Sequence, residues 1–195
     1  MKIRAILKFG LFALALAGMA TTLTPQKAAA QGIFSSIFGG GGWQSGRQEV
    51  RFTTRYGTRV IVVSLGDRRL YYVHKKGAAI SYPIGVPPGR AMWSGVERVS
   101  QKRVNPPWTP TPEMRRENPK LPAHVRGGDP RNPLGVRALY LGNTLYRIHG
   151  TDAPWTVGQN VTHGCIRLYN NDIIDLYTRT PIGTKVYVTH RRVMG

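Results

Sequence analysis

The chain has 195 residues, a formal net charge of +19 and a single cysteine. One ordinary domain with its own core fits that length and two do not fit comfortably, while a lone cysteine excludes a disulfide framework within the chain. So basic a balance points to an anionic partner such as nucleic acid, an acidic membrane surface or an acidic cell-wall polymer, although without a run of five basic residues a generally basic, solvated surface fits as well as a dedicated patch.

Residues 1–30 carry Lys2, Arg4 and Lys8, an apolar run from Phe9 to Ala20, and then Ala28-Ala29-Ala30. That is the charged, apolar and small-residue succession of a secretory signal peptide. The apolar run has 12 residues, whereas a membrane-crossing helix needs about 20, so an uncleaved anchor is the weaker alternative and no stable membrane span is expected. Cleavage after Ala30 leaves 165 residues with a charge of +15, because Lys2, Arg4, Lys8 and Lys27 are the only charged residues removed. Export to the periplasm argues against nucleic acid as the partner. Residues 31–57 begin with a Gly/Ser-rich stretch containing Gly39–Gly42 and read as a flexible linker.

From Thr58 the pattern turns to β. Arg59–Leu65, Arg68–His74 and Ala78–Ile84 are rich in β-branched and aromatic residues and are separated by Gly66-Asp67 and Lys-Lys-Gly turns, the mark of a strand meander. Further strands are expected at Glu97–Val104, Leu134–Leu141, Thr144–Ile148 and Thr184–Thr189. A helix is expected over Asp172–Arg179, with Asn170 or Asn171 as its cap and Pro181 beyond its end. Residues 105–133 hold eight of the 14 prolines. Proline cannot donate to a sheet ladder, so this is a long surface insertion, either a lid over a cleft or a structural wrap. The fold expected over residues 58–190 is mainly β, a sandwich or mixed sheet with one or two short helices.

The chemistry concentrates in Tyr146-Arg-Ile-His-Gly-Thr-Asp-Ala-Pro-Trp155 and Asn160-Val-Thr-His-Gly-Cys-Ile-Arg-Leu168. In an oxidising compartment an unpaired Cys165 is either a small buried hydrophobe or a reactive thiol. As a nucleophile it needs a base, and both His149 and His163 qualify; spacing alone does not choose between them. A neighbouring imidazolium would make the thiol more acidic than a free cysteine. A metal site through His149, His163 and Cys165 has no fourth ligand at a recognisable spacing, so neither metal nor cofactor is expected. His74, His124 and His190 read as structural.

The segment from Ile148 through Leu168 resembles the signature of the L,D-transpeptidases with a YkuD-type catalytic domain, in which a histidine precedes an [ST]-H-G-C-hydrophobic-[RN] block. The similarity runs from about Thr58 to Thr189 and includes the Trp93–Ser100, Pro106–Met114 and Asn132–Gly142 segments. Thr162 stands where serine is more usual, a change the pattern allows. The resemblance implies a YkuD-type β-sandwich whose Pro-rich loop serves as lid, and acyl transfer on peptidoglycan stem peptides. It makes Cys165 the nucleophile and His149 the base, with a carbonyl at Gly150 orienting the imidazole and the backbone N–H groups of His163, Gly164 and Cys165 facing the oxyanion. Arg167, Trp155 and Thr162 would contact substrate. The acyl acceptor would be a second stem peptide, a free D-amino acid or an outer-membrane protein. Three other readings stand beside it: an L,D-carboxypeptidase or hydrolase of the same family, a sortase-like cysteine enzyme, and a wall-binding module without catalysis.

Overall fold

The computed structural model describes residues 45–53, 55–88, 93–162 and 164–194. The expected signal peptide, the first part of the linker and His163 lie outside them. In chain order the described strands are β1 (Gln48–Phe52), β2 (Val60–Ser64), β3 (Arg69–Lys75), β4 (Gly77–Pro83), β5 (Gly95–Val104), β6 (Arg137–Leu141), β7 (Arg147–His149), β8 (Ile166–Arg167) and β9 (Lys185–Thr189). Helix α1 (Pro112–Glu117) lies between β5 and β6, and α2 (Asn170–Arg179) between β8 and β9.

The strands form one sheet in the order β1-β4-β3-β2-β9-β5-β6-β7-β8. Side chains alternate between faces along a strand, and β2 shows the consequence: Ile61 and Val63 join one buried cluster, while Val60 and Val62 join another on the opposite face. The larger cluster includes Leu70, Tyr82, Leu139, Ile148, Ile166 and Leu168, and α2 closes it with Ile173 and Leu176. Each such aliphatic side chain removed from water contributes about 1.5–3 kcal/mol. The smaller cluster packs Phe52 against Tyr71, with ring centroids 4.7 Å apart.

Strand β5 joins the two halves of the sheet. Its first residues pair with β9, its later ones with β6, and the register shifts between Val99 and Gln101. Such an irregularity bends a strand and sharpens its twist. At the far end, Gly85 just past β4 exchanges hydrogen bonds with Arg167 of β8, N to O at 2.8 Å and O to N at 2.9 Å. Val86 bridges to Asn160. The sheet thus curls back on itself, and the segment carrying Cys165 is fixed on both sides.

Two expectations change. The linker read over residues 31–57 contains β1, whose residues pair antiparallel with β4 from Gln48 opposite Ser81 to Phe52 opposite Gly77. Helix α2 starts at Asn170, with Tyr169 at the cap position and no side-chain cap. The Pro-rich segment folds largely on itself: Trp108 and Val125 exchange backbone bonds of 2.9 and 2.8 Å, Asn132 Nδ2 donates to Pro106 O at 2.8 Å, and Thr111 caps α1 by accepting from Met114 N at 3.2 Å.

Candidate active site

Strands β7 and β8 run parallel, with Ile148 opposite Ile166 and His149 opposite Arg167. Opposed residues share a face and residues two apart on a strand return to it. Arg147 and His149 on β7 therefore face the same way as Arg167, and Cys165 lies two residues before Arg167. Ile148 and Ile166, the residues between, point into the core and are fully buried.

His149 is 3% exposed. Its Nδ1 meets the carbonyl of Gly150 at 2.6 Å. A carbonyl only accepts, so Nδ1 carries the proton and Nε2 is left with a free lone pair. Burial, reinforced by the positive charges of Arg167 and Arg147, pushes the imidazole down from 6.5 to about 3, against the opposing Gly150 bond. The ring is accordingly neutral near pH 7.

Cys165 is partly exposed, and its sulfur donates to the Leu145 carbonyl at 3.8 Å. The acidic thiol expected from an adjacent imidazolium is corrected by the structure: desolvation raises the thiol, outweighing the N–H groups of Arg147 and the charges of Arg147 and Arg167, which pull it down. With His149 neutral there is no imidazolium to hold a thiolate. Both groups are therefore uncharged at rest near pH 7.

The turn before the sulfur depends on glycine. Gly164 has φ of +122°, and a Cβ there would meet the Tyr146 ring at 2.9 Å, so only glycine brings the backbone this close. Thr162 is buried, and its hydroxyl donates to the Cys165 carbonyl at 2.7 Å, fixing the turn from inside. Arg167 donates through Nη1 to Thr156 Oγ1 at 2.7 Å, and its buried Nε has no hydrogen-bond partner. Burial lowers the Arg167 pKa against the attraction of Asp152. Trp155, next to Thr156, is 71% exposed and stands as an aromatic rim.

Sequence reasoning missed two contributors. Asn170 reaches back from the start of α2 to Thr151, accepting from its N at 3.0 Å and donating to its O at 2.9 Å. Gly150 fits under the same amide, since a Cβ there would collide with Asn170 Oδ1. Arg147 is the other: its Nη1 donates to Leu145 O at 3.1 Å, and its guanidinium lies over Tyr140, 4.9 Å from the ring centroid. The signal was the Tyr-Arg-Ile-His run itself, in which a cation two residues before the histidine shares its face. His74 stands apart, 3.3 Å from Glu49, as does His124, 3.0 Å from Thr109. Among the described residues no three His, Cys, Asp or Glu side chains converge, and no helix is long and apolar enough to cross a membrane.

The family model YkuD, the L,D-transpeptidase catalytic domain, matches residues 58–188. The chain is similar to the Escherichia coli (strain K12) protein named probable L,D-transpeptidase ErfK/SrfK, with 43% identity over 142 residues, covering 68% of this chain and 44% of that one. It is also similar to a Fuscovulum blasticum protein named putative L,D-transpeptidase in ATP synthase subunits region ORF 5, with 32% identity over 187 residues, 95% of this chain and 96% of that one. The chain thus spans under half the length of the E. coli relative. Among solved structures, the catalytic domain of the E. faecium L,D-transpeptidase matches with a TM-score of 0.53 and 19% identity, over 70% of this chain and 100% of that one, a likeness of fold.

Proposed function

The chain belongs to the L,D-transpeptidase family through its YkuD catalytic domain, and from that premise we propose that it is an exported, periplasmic cysteine transpeptidase acting on peptidoglycan stem tetrapeptides. The observation that carries this reading is the parallel pairing of β7 with β8, which sets the oriented imidazole of His149 opposite Arg167, two residues past the chain's single thiol.

In the first half-reaction the Cys165 sulfur bonds to the carbonyl carbon of the L-centre of the third stem residue, and the thiol proton passes to His149 Nε2. The tetrahedral oxygen takes its charge beside the backbone N–H groups of residues 163–165, donors of a kind typically worth about 3 kcal/mol each. Collapse breaks the peptide bond, His149 returns the proton to the departing amine of the terminal D-alanine, and a thioester remains. In the second, an acceptor amine bonds to the same carbon, its proton goes to His149, and the thiolate leaves and is reprotonated. A second stem peptide gives a 3–3 cross-link. An outer-membrane protein gives anchoring, and water gives hydrolysis. Arg167, with its unfilled Nε, suits a stem carboxylate as a charge-assisted partner. Trp155 supplies an apolar wall, and Thr162 holds the nucleophile's turn.

The test is mass spectrometry of purified muropeptides incubated with the mature protein. Cys165→Ser and His149→Ala should each abolish transfer. His163→Ala should retain measurable turnover, losing about 1–2 kcal/mol where an acting base costs about 3–5. A live Cys165→Ser variant would remove the covalent mechanism, and a His163→Ala variant as inactive as His149→Ala would move the base.

A further inference from the structure

Arg147 has no part in the mechanism above, yet it is the cation of β7 next to the nucleophile's turn. The β7–β8 register, continued back one residue from Ile148 opposite Ile166, brings Arg147 level with Cys165. Its Nη1 and the Cys165 sulfur share one acceptor, Leu145 O, at 3.1 and 3.8 Å. Its Nε is buried without a hydrogen-bond partner, and among the described residues no carboxylate pairs with it. Tyr140, opposite it on β6, supports the guanidinium from one side through its ring face, as it also faces Arg103 at 5.7 Å. A charged donor with an open N–H and no counter-ion, held against a turn that carries a thiol, is built for a negative charge that exists only during reaction.

We propose that Arg147 is the thiolate partner of Cys165: its N–H groups and charge stabilise the sulfur when its proton leaves for His149 and again when the sulfur departs from the thioester. This rests on Cys165 being the nucleophile. The same charge disfavours protonation of His149 and so keeps the base available. The charged groups acting on the sulfur among the described residues are Arg147 from β7 and Arg167 from β8, with Asp152 acting on Arg167 and His149 two residues from Arg147 on the same face of β7. Desolvation raises the thiol, and Arg147 opposes that rise through its backbone N–H, its charge and its side chain.

The experiment titrates the thiol of the mature protein without substrate, by thiolate absorbance and by iodoacetamide alkylation across pH. Arg147→Gln should move the midpoint up by about one pH unit and slow alkylation at neutral pH several-fold. Arg147→Lys, which keeps the charge and loses the fork, should recover part of the shift, and Tyr140→Leu should fall between. His124→Ala, whose ring meets Thr109 instead, serves as control and should leave the midpoint unchanged. An unchanged midpoint with a lowered melting temperature would make Arg147 scaffold and overturn the proposal. An unchanged midpoint with a raised KM for a stem tetrapeptide would make it a substrate-carboxylate ligand and overturn it equally. Failure of the unaltered protein to transfer acyl groups would fault the transpeptidase reading, while the titration still decides the electrostatic one.

Discussion

At the scale of single residues, the buried His149 ties function to pH at a lower value than an ordinary histidine base would. In the proposed reaction the neutral ring is the base, and it exists above its pKa; lowering that pKa from 6.5 to about 3 moves the expected acid limb of activity far below neutral. Carbapenem acylation of Cys165 should therefore hold its rate from pH 7 down to about 5, and a fall centred near 6.5 would show the imidazole to be solvated. Stability follows the same linkage. The unfolded histidine takes up a proton below 6.5 and the folded one does not, so stability is complete above 6.5 and declines as pH falls toward 3, by up to about 1.4 kcal/mol per pH unit. Cys165 and its two candidate histidines, His149 and His163, stood out because the block around them is local in sequence; spacing did not choose between the histidines, and the orientation of the His149 ring comes from the Gly150 carbonyl. The thiol's acidity was not, since it depends on desolvation and on cations brought in from a neighbouring strand.

Elements hold this site through a few cross-element contacts, of which the Asn170 clamp is the most exposed to test. Thr151 is 1% exposed, so truncating Asn170 leaves a buried N–H and C=O without partners, each costing about 1–3 kcal/mol. Asn170→Ala should lower stability in urea by about 2–4 kcal/mol and reduce kcat/KM for a stem tetrapeptide by loosening the loop after His149. A variant with native stability and native kcat/KM would make the clamp incidental. Asn170 looked like a helix cap because Asn before an amphipathic run ending near Pro181 is the usual start signal; the fold spends its amide on Thr151 instead, and α2 begins at Asn170 itself, two residues before the expected Asp172 and without a side-chain cap. Strand β1 was illegible for another reason. Gln48-Glu-Val-Arg-Phe52 follows a Gly/Ser-rich stretch and offers only Val50 and Phe52 as its apolar face. Its place comes from the vacant edge of β4 and from contacts distant in sequence: Ser45 and Gly46 donate to the buried Asp172, and Arg47 lies 3.4 Å from Asp175.

Over the whole molecule the charge is unevenly committed. Of the nine acidic residues, Asp67, Asp172 and Asp175 are engaged inside the fold. Asp67 accepts from the Val193 and Met194 backbone at 2.9 and 3.2 Å, pinning the end of the chain to the β2–β3 turn. Asp175 accepts from Tyr82 at 2.6 Å and pairs with Arg179 at 2.9 Å. Glu49 and Asp129 face Lys75 and Arg131. These acids neutralise only a few of 28 basic side chains, and exposed cations such as Arg51, Arg59, Arg103, Arg115, Arg116 and Lys120 face outward, toward whatever anionic surface the protein meets. Such attraction is long-ranged and sequence-independent, and it is screened by salt: the Debye length falls from about 30 Å at 0.01 M to about 8 Å at 0.15 M. Retention of the Cys165→Ser variant on purified peptidoglycan sacculi, measured by sedimentation, should therefore weaken progressively across that range. Acylation of the unaltered protein by a small β-lactam, which needs no wall surface, should change far less. Retention indifferent to salt would mean that the wall is held through the cleft, by contacts such as Trp155 and Arg167, and that the basic surface only keeps the protein in solution.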